Sequence, residues 1–274
     1  MIHRLRSPIV LLSWLASIAA AVPSAAQSPG MRALEVVGTE IRVVLGDGSV
    51  LQRERLIGAT LAFTDAQGES VRVRIEDIEA DRKDPDGDVL LYRLLTPDAA
   101  AGTWRPLCDP GPDGRTFGFP LAGAWDEAGN PIAGRPGAFT IACTSGAIGK
   151  CVRFGYKPWK TVGGVRLDRH HAACMRMVRA DYGGDGTAFT RDGHRIDVFD
   201  EDGVQQPDND PADAFEAGWA PEGAVCIHHP RVRANVSLAE LEARFPRLKG
   251  RTGDACTEEF AKANGAIVFN RSAP

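Results

Sequence analysis

The chain has 274 residues, with 32 basic side chains against 36 acidic ones and a formal charge of −4. An acidic surface does not neutralise phosphates, which excludes nucleic acid and anionic membranes as partners.

The first residues, MIHRLRS, are basic, and the uncharged apolar run PIVLLSWLASIAAAV follows them. That run is too short and too alanine-rich at its end for a membrane span and reads as a secretory signal. Ser24, Ala25 and Ala26 supply the small residues a signal peptidase inspects, so residues 1–26 are the expected signal peptide, cut before Gln27. No cysteine follows the cut, which argues against a lipid anchor. Its removal takes Arg4 and Arg6 and no acid, leaving 30 basic against 36 acidic residues and a charge of −6. The expected location is the periplasm or the extracellular space. Nothing after the signal is apolar for long enough to span a bilayer.

All six cysteines, Cys108, Cys143, Cys151, Cys174, Cys226 and Cys256, follow the signal. An even count in an oxidising compartment points to disulfides. None forms a C-x-x-C pair, so a zinc site of the usual kind has no support.

From Ala33 to about Thr96, EIRVVL, ATLAFT, SVRVRIEDI and DVLLYRL alternate with period two between GDG, DAQG and DPDG. This predicts a run of hairpins, with tight turns at Asp47-Gly48 and Gln67-Gly68. The Gly/Pro-rich stretch from Cys108 to Gly137 shows almost no periodicity and predicts a long surface connection pinned by Cys108.

The second half is more helical. Ile148, Cys151, Val152 and Gly155 share one face of a short helix, with Thr144 or Ser145 as N-cap and Pro158 beyond its end. A second helix is predicted from Asp168, as N-cap, to Tyr182, stopped by Gly183-Gly184. Ser237 to Glu240 is a capping box opening a third, and a fourth runs from about Asp254 to Lys262. GAVCIHH and AIVFN read as strands. The expected fold class is α+β: a β-hairpin-rich part over 31–100 and a disulfide-stapled mixed part over 101–272.

On a helical wheel, Leu167, His170, His171, Cys174, Met177, Val178 and Asp181 share one side of the second helix. Arg169, Ala172, Arg176 and Arg179 share the other. Asp181 sits at the negative end of the helix dipole and needs other stabilisation. The N–H groups of Gly183, Gly184 or Asp185 are near candidates, and Arg153 is a more distant one. Its plain role is a structural carboxylate at the helix exit. The sharper one makes it the orienter of a catalytic base, His171 or His194. The lack of a nucleophile motif favours the plain role.

The segments ACTSGAIGKCVRFGYKPW, HHAACMRMVRADYGGDG, TRDGHRIDVFD and AIVFNRS resemble, in order, the ADYC-domain proteins, exported bacterial proteins named for an Ala-Asp-Tyr-Cys tetrapeptide. The resemblance covers about Asp81 to Ser272. Ala180, Asp181 and Tyr182 match the tetrapeptide, but Gly183 stands where its cysteine belongs. Because the remaining count is even, the partner of that cysteine is expected to be missing too. The family implies a compartment and a domain but no known activity.

G-x-S-x-G, G-x-x-x-x-G-K-[ST], H-E-x-x-H and G-x-G-x-x-G are all absent. The acidic loops DPDGD at 84–88 and DEDG at 200–203 have the oxygen density hard cations want, but neither has EF-hand spacing, and no metal or cofactor is expected. His171, Asp181, His194 and Asp197 are the weak catalytic candidates, with Asp185, Asp200, His228 and His229 as further members of a site that only convergence could assemble. Asn235-Val236-Ser237 and Asn270-Arg271-Ser272 are formal glycosylation sequons, of little meaning in a bacterial host. Tyr156-Lys157-Pro158-Trp159 reads as aromatic packing on the helix pair in preference to an exposed contact surface.

The function expected is a non-catalytic envelope or extracellular module that binds a protein or a glycan. The alternative is a secreted hydrolase built on Asp181, His194 and Asp197. Facing apolar helix stripes predict a Cys151–Cys174 bridge, from which Cys108–Cys143 and Cys226–Cys256 follow as the shortest remaining closures.

Overall fold

The computed structural model describes residues 15–16, 30–65, 68–111, 113–126 and 130–274. The expected cleavage position before Gln27 therefore lies outside the described residues, as does Gln67 of the second predicted turn. Within them the fold is mostly β, with several antiparallel sheets and four short helices, a stronger β bias than the expected α+β balance.

The alternating segments form strands as their period predicts. Met31–Val37, Glu40–Leu45 and Val50–Gln52 make a three-stranded sheet. Its second turn holds Gly48 at φ +84, where glycine carries no Cβ penalty. Asp47 accepts from both the N–H and the hydroxyl of Ser49 there. This sheet is tied to the larger one through Tyr92, whose hydroxyl accepts the Ile41 N–H at 3.0 Å. Thr39 adds a second tie by accepting from the Leu90 N–H at 2.8 Å.

The larger sheet has seven strands. Its order is Leu15–Ala16, Phe139–Cys143, Phe117–Ala122, Leu90–Asp98, Ser70–Ala80 and Thr60–Thr64, with Thr103–Pro106 also pairing Leu90–Asp98. Phe117–Ala122 corrects the expected surface connection: it is an inner strand, with five of its six residues buried. A strand covered on both faces has no alternation to detect, and Gly118 and Pro120 read locally as breakers. Gly118 is there because a Cβ would lie 2.8 Å from Cys108 Sγ and 3.0 Å from the Ala142 carbonyl. Pro120 lies beyond Gly118, the last residue paired with Leu90–Asp98.

Helix α1, Ala147–Arg153, has Gly146 at its N-cap and no side-chain cap. The expected cap Thr144 instead donates its hydroxyl to the Phe117 carbonyl at 2.9 Å, tying the helix entry to the inner strand. Helix α2 runs Asp168–Arg179, with Leu167 and not Asp168 as N-cap. It ends at Arg179, three residues short of the predicted end at Tyr182, because Ala180 takes the left-handed conformation at φ 50.

Helix α3, Leu238–Arg244, carries the predicted capping box between Ser237 and Glu240. Helix α4 is shorter than predicted, Glu258–Ala263, because Thr257 caps it by accepting the Phe260 N–H. A four-stranded sheet, ordered Asp197–Phe199, Val268–Ser272, Ala214–Ala220 and Gly223–Ile227, packs against α2 and α4.

One hydrophobic core joins these parts, from Leu34 and Ile75 through Phe119, Cys151 and Met177 to Trp219 and Val268. Burying each large side chain of this kind contributes about 1.5–3 kcal/mol. Cys151–Cys174 links α1 to α2, Cys108–Cys143 ties the segment after Thr103–Pro106 to the end of Phe139–Cys143, and Cys226–Cys256 ties a strand to the segment before α4. These are the three expected pairings. Among the described residues no cysteine is free, and no helix is long and apolar enough to cross a membrane.

Candidate functional site

The exit of α2 gathers several buried polar groups, among them Arg176, Asp181, Glu216 and Arg231. Left-handed Ala180 is fully buried and turns the chain sharply, so Asp181 points back under the helix end. Its Oδ1 accepts the Gly184 N–H at 2.8 Å and its Oδ2 the Gly186 N–H at 2.9 Å. Gly184 is one of the predicted donors; Gly186, three residues past Gly183, is an unforeseen one.

The charge partner differs from expectation. Arg153 pairs with Asp81 at 2.5 Å, and Arg176 supplies the guanidinium to Asp181 at 2.8 Å. Arg176 falls on the polar side of the wheel, yet it is buried. The α2 helix is covered on more than one side, and Arg176 also donates to the Pro221 carbonyl at 3.0 Å and to Asn130.

Tyr182 enters a second network. Its hydroxyl donates to Glu216 Oε1 at 3.1 Å and accepts the Arg231 N–H at 2.8 Å. Arg231 grips both Glu216 oxygens at 3.0 Å and donates to the Met177 and Val178 carbonyls at the end of α2. Asn270 adds a bond to Glu216 at 2.7 Å and accepts the Trp219 indole N–H at 2.8 Å. Burial pushes the Tyr182 hydroxyl pKa well up. Burial would also raise Glu216, but the Arg231 charge and its hydrogen bonds outweigh this and hold the carboxyl below its ordinary value. Glu216, Arg231 and Asn270 carried no sequence signal, since 15 to 54 residues separate the partners.

His171 lies at the other end of α2, about 15 Å of helical rise from Asp181, and the structure does not bring the two together. Its Nδ1 donates to the Tyr156 carbonyl at 2.9 Å and its ring meets Trp125 edge-on at 5.0 Å. Nε2 is buried without a hydrogen-bond partner. Burial pushes the imidazole pKa down to about 4, against the pull of that carbonyl, so His171 is neutral near pH 7.

His194 is half-buried ahead of the strand that carries Asp197. Asp197 is buried; its Oδ1 accepts the Asp208 N–H at 3.0 Å and its Oδ2 has no hydrogen bond, the Arg271 guanidinium standing 4.0 Å away. Burial raises its pKa. Beside it, Arg195 gathers Asp208, Asp210 and Asp213 at 2.5–3.0 Å.

Asp200 accepts the Tyr156 hydroxyl and the N–H groups of Val204 and Gln205. An unforeseen pair joins His170 Nε2 to Asp202 at 2.7 Å, with Tyr156 stacked on the imidazole. His228 and His229 bond to the Gly253 and Pro230 carbonyls, and Asp185 pairs with Arg244 at 2.8 Å.

In Tyr156-Lys157-Pro158-Trp159, Tyr156 is buried and stacks on His170 of α2, as packing on the helix pair predicts, whereas Lys157 is buried and Trp159 packs on the turn at Gly38 instead. The first acidic loop brings Asp84, Asp86 and Asp88 together, with ligand oxygens within 4.8 Å of one another. The Lys157 ammonium sits among them. Burial would raise Asp84, yet the Lys157 bond leads the interactions that hold it down to about 2.

No curated protein and no solved structure matches the chain. The ADYC domain, in contrast, matches residues 53–233, beginning well before the stretch where the resemblance sets in and enclosing α1, α2 and the Asp181–Tyr182 corner. With more than half of its length matched and Ala180, Asp181 and Tyr182 forming the buried joint of the fold, the chain belongs to the ADYC domain family.

Proposed function

We propose that this ADYC-domain protein is an exported, non-catalytic binding module of the periplasm or extracellular space, and that its partner is a protein or a glycan. The observation that carries this reading is the engagement of Asp181: both of its oxygens are committed to the Gly184 and Gly186 N–H groups and to Arg176. A fully buried carboxylate engaged on both oxygens is not presented to a substrate or to bulk water. The family's eponymous residues thus hold a helix exit in place. Three disulfides suit an oxidising compartment and rigidify the scaffold that would present a binding surface.

A hydrolase remains the second reading because of Asp197, whose raised pKa and buried oxygen without a hydrogen bond are features of general acids and bases. The test runs both assays on one pair of proteins, the wild type and Asp197→Asn. Each is offered ester, glycoside and peptide substrates, and each is tested for saturable binding to a glycan array and to isolated envelope proteins. The module predicts saturable binding by both proteins and no turnover by either. Turnover by the wild type that Asp197→Asn abolishes at an unchanged melting temperature overturns it.

A further inference from the structure

The loop from Asp84 to Asp88 is folded around its own first carboxylate. Asp84 curls the chain around itself, its Oδ1 accepting the Asp86 N–H at 3.3 Å and its Oδ2 the N–H groups of Asp88 and Val89 at 2.9 Å. Gly87, at φ +67, allows the reversal. Three carboxylates are thereby aimed at one point, and such a cluster needs a cation to offset its self-repulsion.

That cation comes from elsewhere in the same chain. Lys157 lies 69 to 73 residues away in sequence, in the connection between α1 and α2, and its side chain is only 1% exposed. Nζ lies 2.6 Å from Asp84 Oδ1 and 2.8 Å from Asp86 Oδ2, and it also bonds Asp88 Oδ1. An ammonium has three hydrogens, and each meets a different carboxylate. The backbone around the lysine is itself ordered: its N–H donates to the Gly155 carbonyl at 2.8 Å and its carbonyl accepts the Lys160 N–H at 2.9 Å. Lys160 pairs with Asp86 as well, and the Trp159 indole reaches Asp88 Oδ2 at 3.4 Å. A lysine buried this deeply is rare unless paired, and here its partners are the three carboxylates of the loop.

We propose that Lys157 is the resident cation of this loop: its ammonium occupies the place a hard divalent cation would take, so that the native protein keeps calcium out and a divalent ion enters only when the ammonium is removed. Calcium takes six to eight oxygens, which two- or one-oxygen carboxylates and water can supply once Nζ is gone. With Nζ present, a divalent ion would face an ammonium at contact distance. The loop therefore works as a latch, holding the β-hairpin region to the connection between the helices without depending on metal.

Two measurements test this. Acetic anhydride labelling of the wild-type chain, read by mass spectrometry, is expected to modify Lys160 and Lys249 while leaving Lys157 protected, equally in calcium and in chelator. A severalfold rise in Lys157 labelling on adding calcium overturns the proposal, as does labelling of Lys157 as fast as Lys249. In the second, melting of Lys157→Met in calcium and in chelator is expected to show a rise of several degrees with calcium. That rise should be absent from the wild type and lost in the Asp86→Asn, Lys157→Met double variant. If Lys157→Met does not fold in chelator, recovery of folded protein in calcium counts as the same support. A Lys157→Met chain that calcium neither stabilises nor rescues overturns the proposal, and so does a wild-type calcium shift that Asp86→Asn abolishes.

Discussion

Tyr182 and Glu216, 34 residues apart in sequence, share a hydrogen bond of 3.1 Å in the core, where both side chains are fully buried. The same hydroxyl accepts the Arg231 N–H, so one phenol closes a network of backbone, cation and carboxylate. Tyr182→Phe keeps the ring and its stacking on Trp219 but leaves the Arg231 N–H without this acceptor and Glu216 with one donor fewer. Each buried group left unpaired costs about 1–3 kcal/mol. We expect the urea midpoint of Tyr182→Phe to fall by that measure, and a wild-type midpoint would show that the hydroxyl is dispensable.

Asp181→Asn tests the helix exit. Asparagine retains one oxygen, so only one of the Gly184 and Gly186 N–H groups keeps its acceptor while the amide NH2 faces the other, and the charge facing buried Arg176 is lost. Breaking one side of a buried ion pair costs about 3–5 kcal/mol. Equilibrium unfolding should register a loss within that range, with Arg176 keeping its bonds to Asn130 and to the Pro221 carbonyl. Saturable partner binding at temperatures where the variant is folded should be unchanged.

The Cys151–Cys174 bridge closes a loop with a sequence separation of 23. On the loop-entropy account, such a crosslink stabilises by about 3 kcal/mol. The double variant Cys151→Ala, Cys174→Ala should lose that amount in denaturant melts, and non-reducing peptide mapping of the wild type should recover the two cysteines in one linked peptide.

His171 makes stability fall with acid. Its pKa is about 4 in the folded protein against an ordinary 6.5, so between these values the unfolded chain binds a proton that the native chain refuses. Stability then rises with pH across that window, by on the order of 1 kcal/mol per pH unit, and the gain is complete above about pH 6.5. Glu216, also held below its ordinary value, loses its contribution at the acid end of the range. Unfolding curves collected from pH 4 to 7 should show a shallower slope for His171→Gln than for the wild type, and equal slopes would remove His171 from the account.

Gly183 stands in place of the family cysteine, and a Cβ there would lie 2.1 Å from the Phe245 ring. Forced overpacking of this kind costs about 1–3 kcal/mol. Gly183→Ala should lower the melting temperature, and Phe245→Ala in the same chain should recover part of the deficit. Additive losses in the double variant would mean that the ring does not block the position.

The sequence by itself determined what depends on neighbours along the chain. Period-two runs became strands, the Ser237–Glu240 capping box opened α3, and Gly48 took its turn. The facing apolar stripes of two helices led to Cys151–Cys174, because a helix fixes which residues share a side. Tertiary structure alone decided the rest. Phe117–Ala122 became an inner strand through pairing with distant segments, which its Gly/Pro content concealed. Arg176 was drawn inward by carbonyls and a carboxylate that exist only once the chain has folded. Lys157 found three aspartates some 70 residues away, and Tyr182 found Glu216 and Arg231. The physical reason is common to all four. A polar or glycine-rich residue carries no local record of its burial, because what makes burial favourable is a partner that folding brings from elsewhere in the chain.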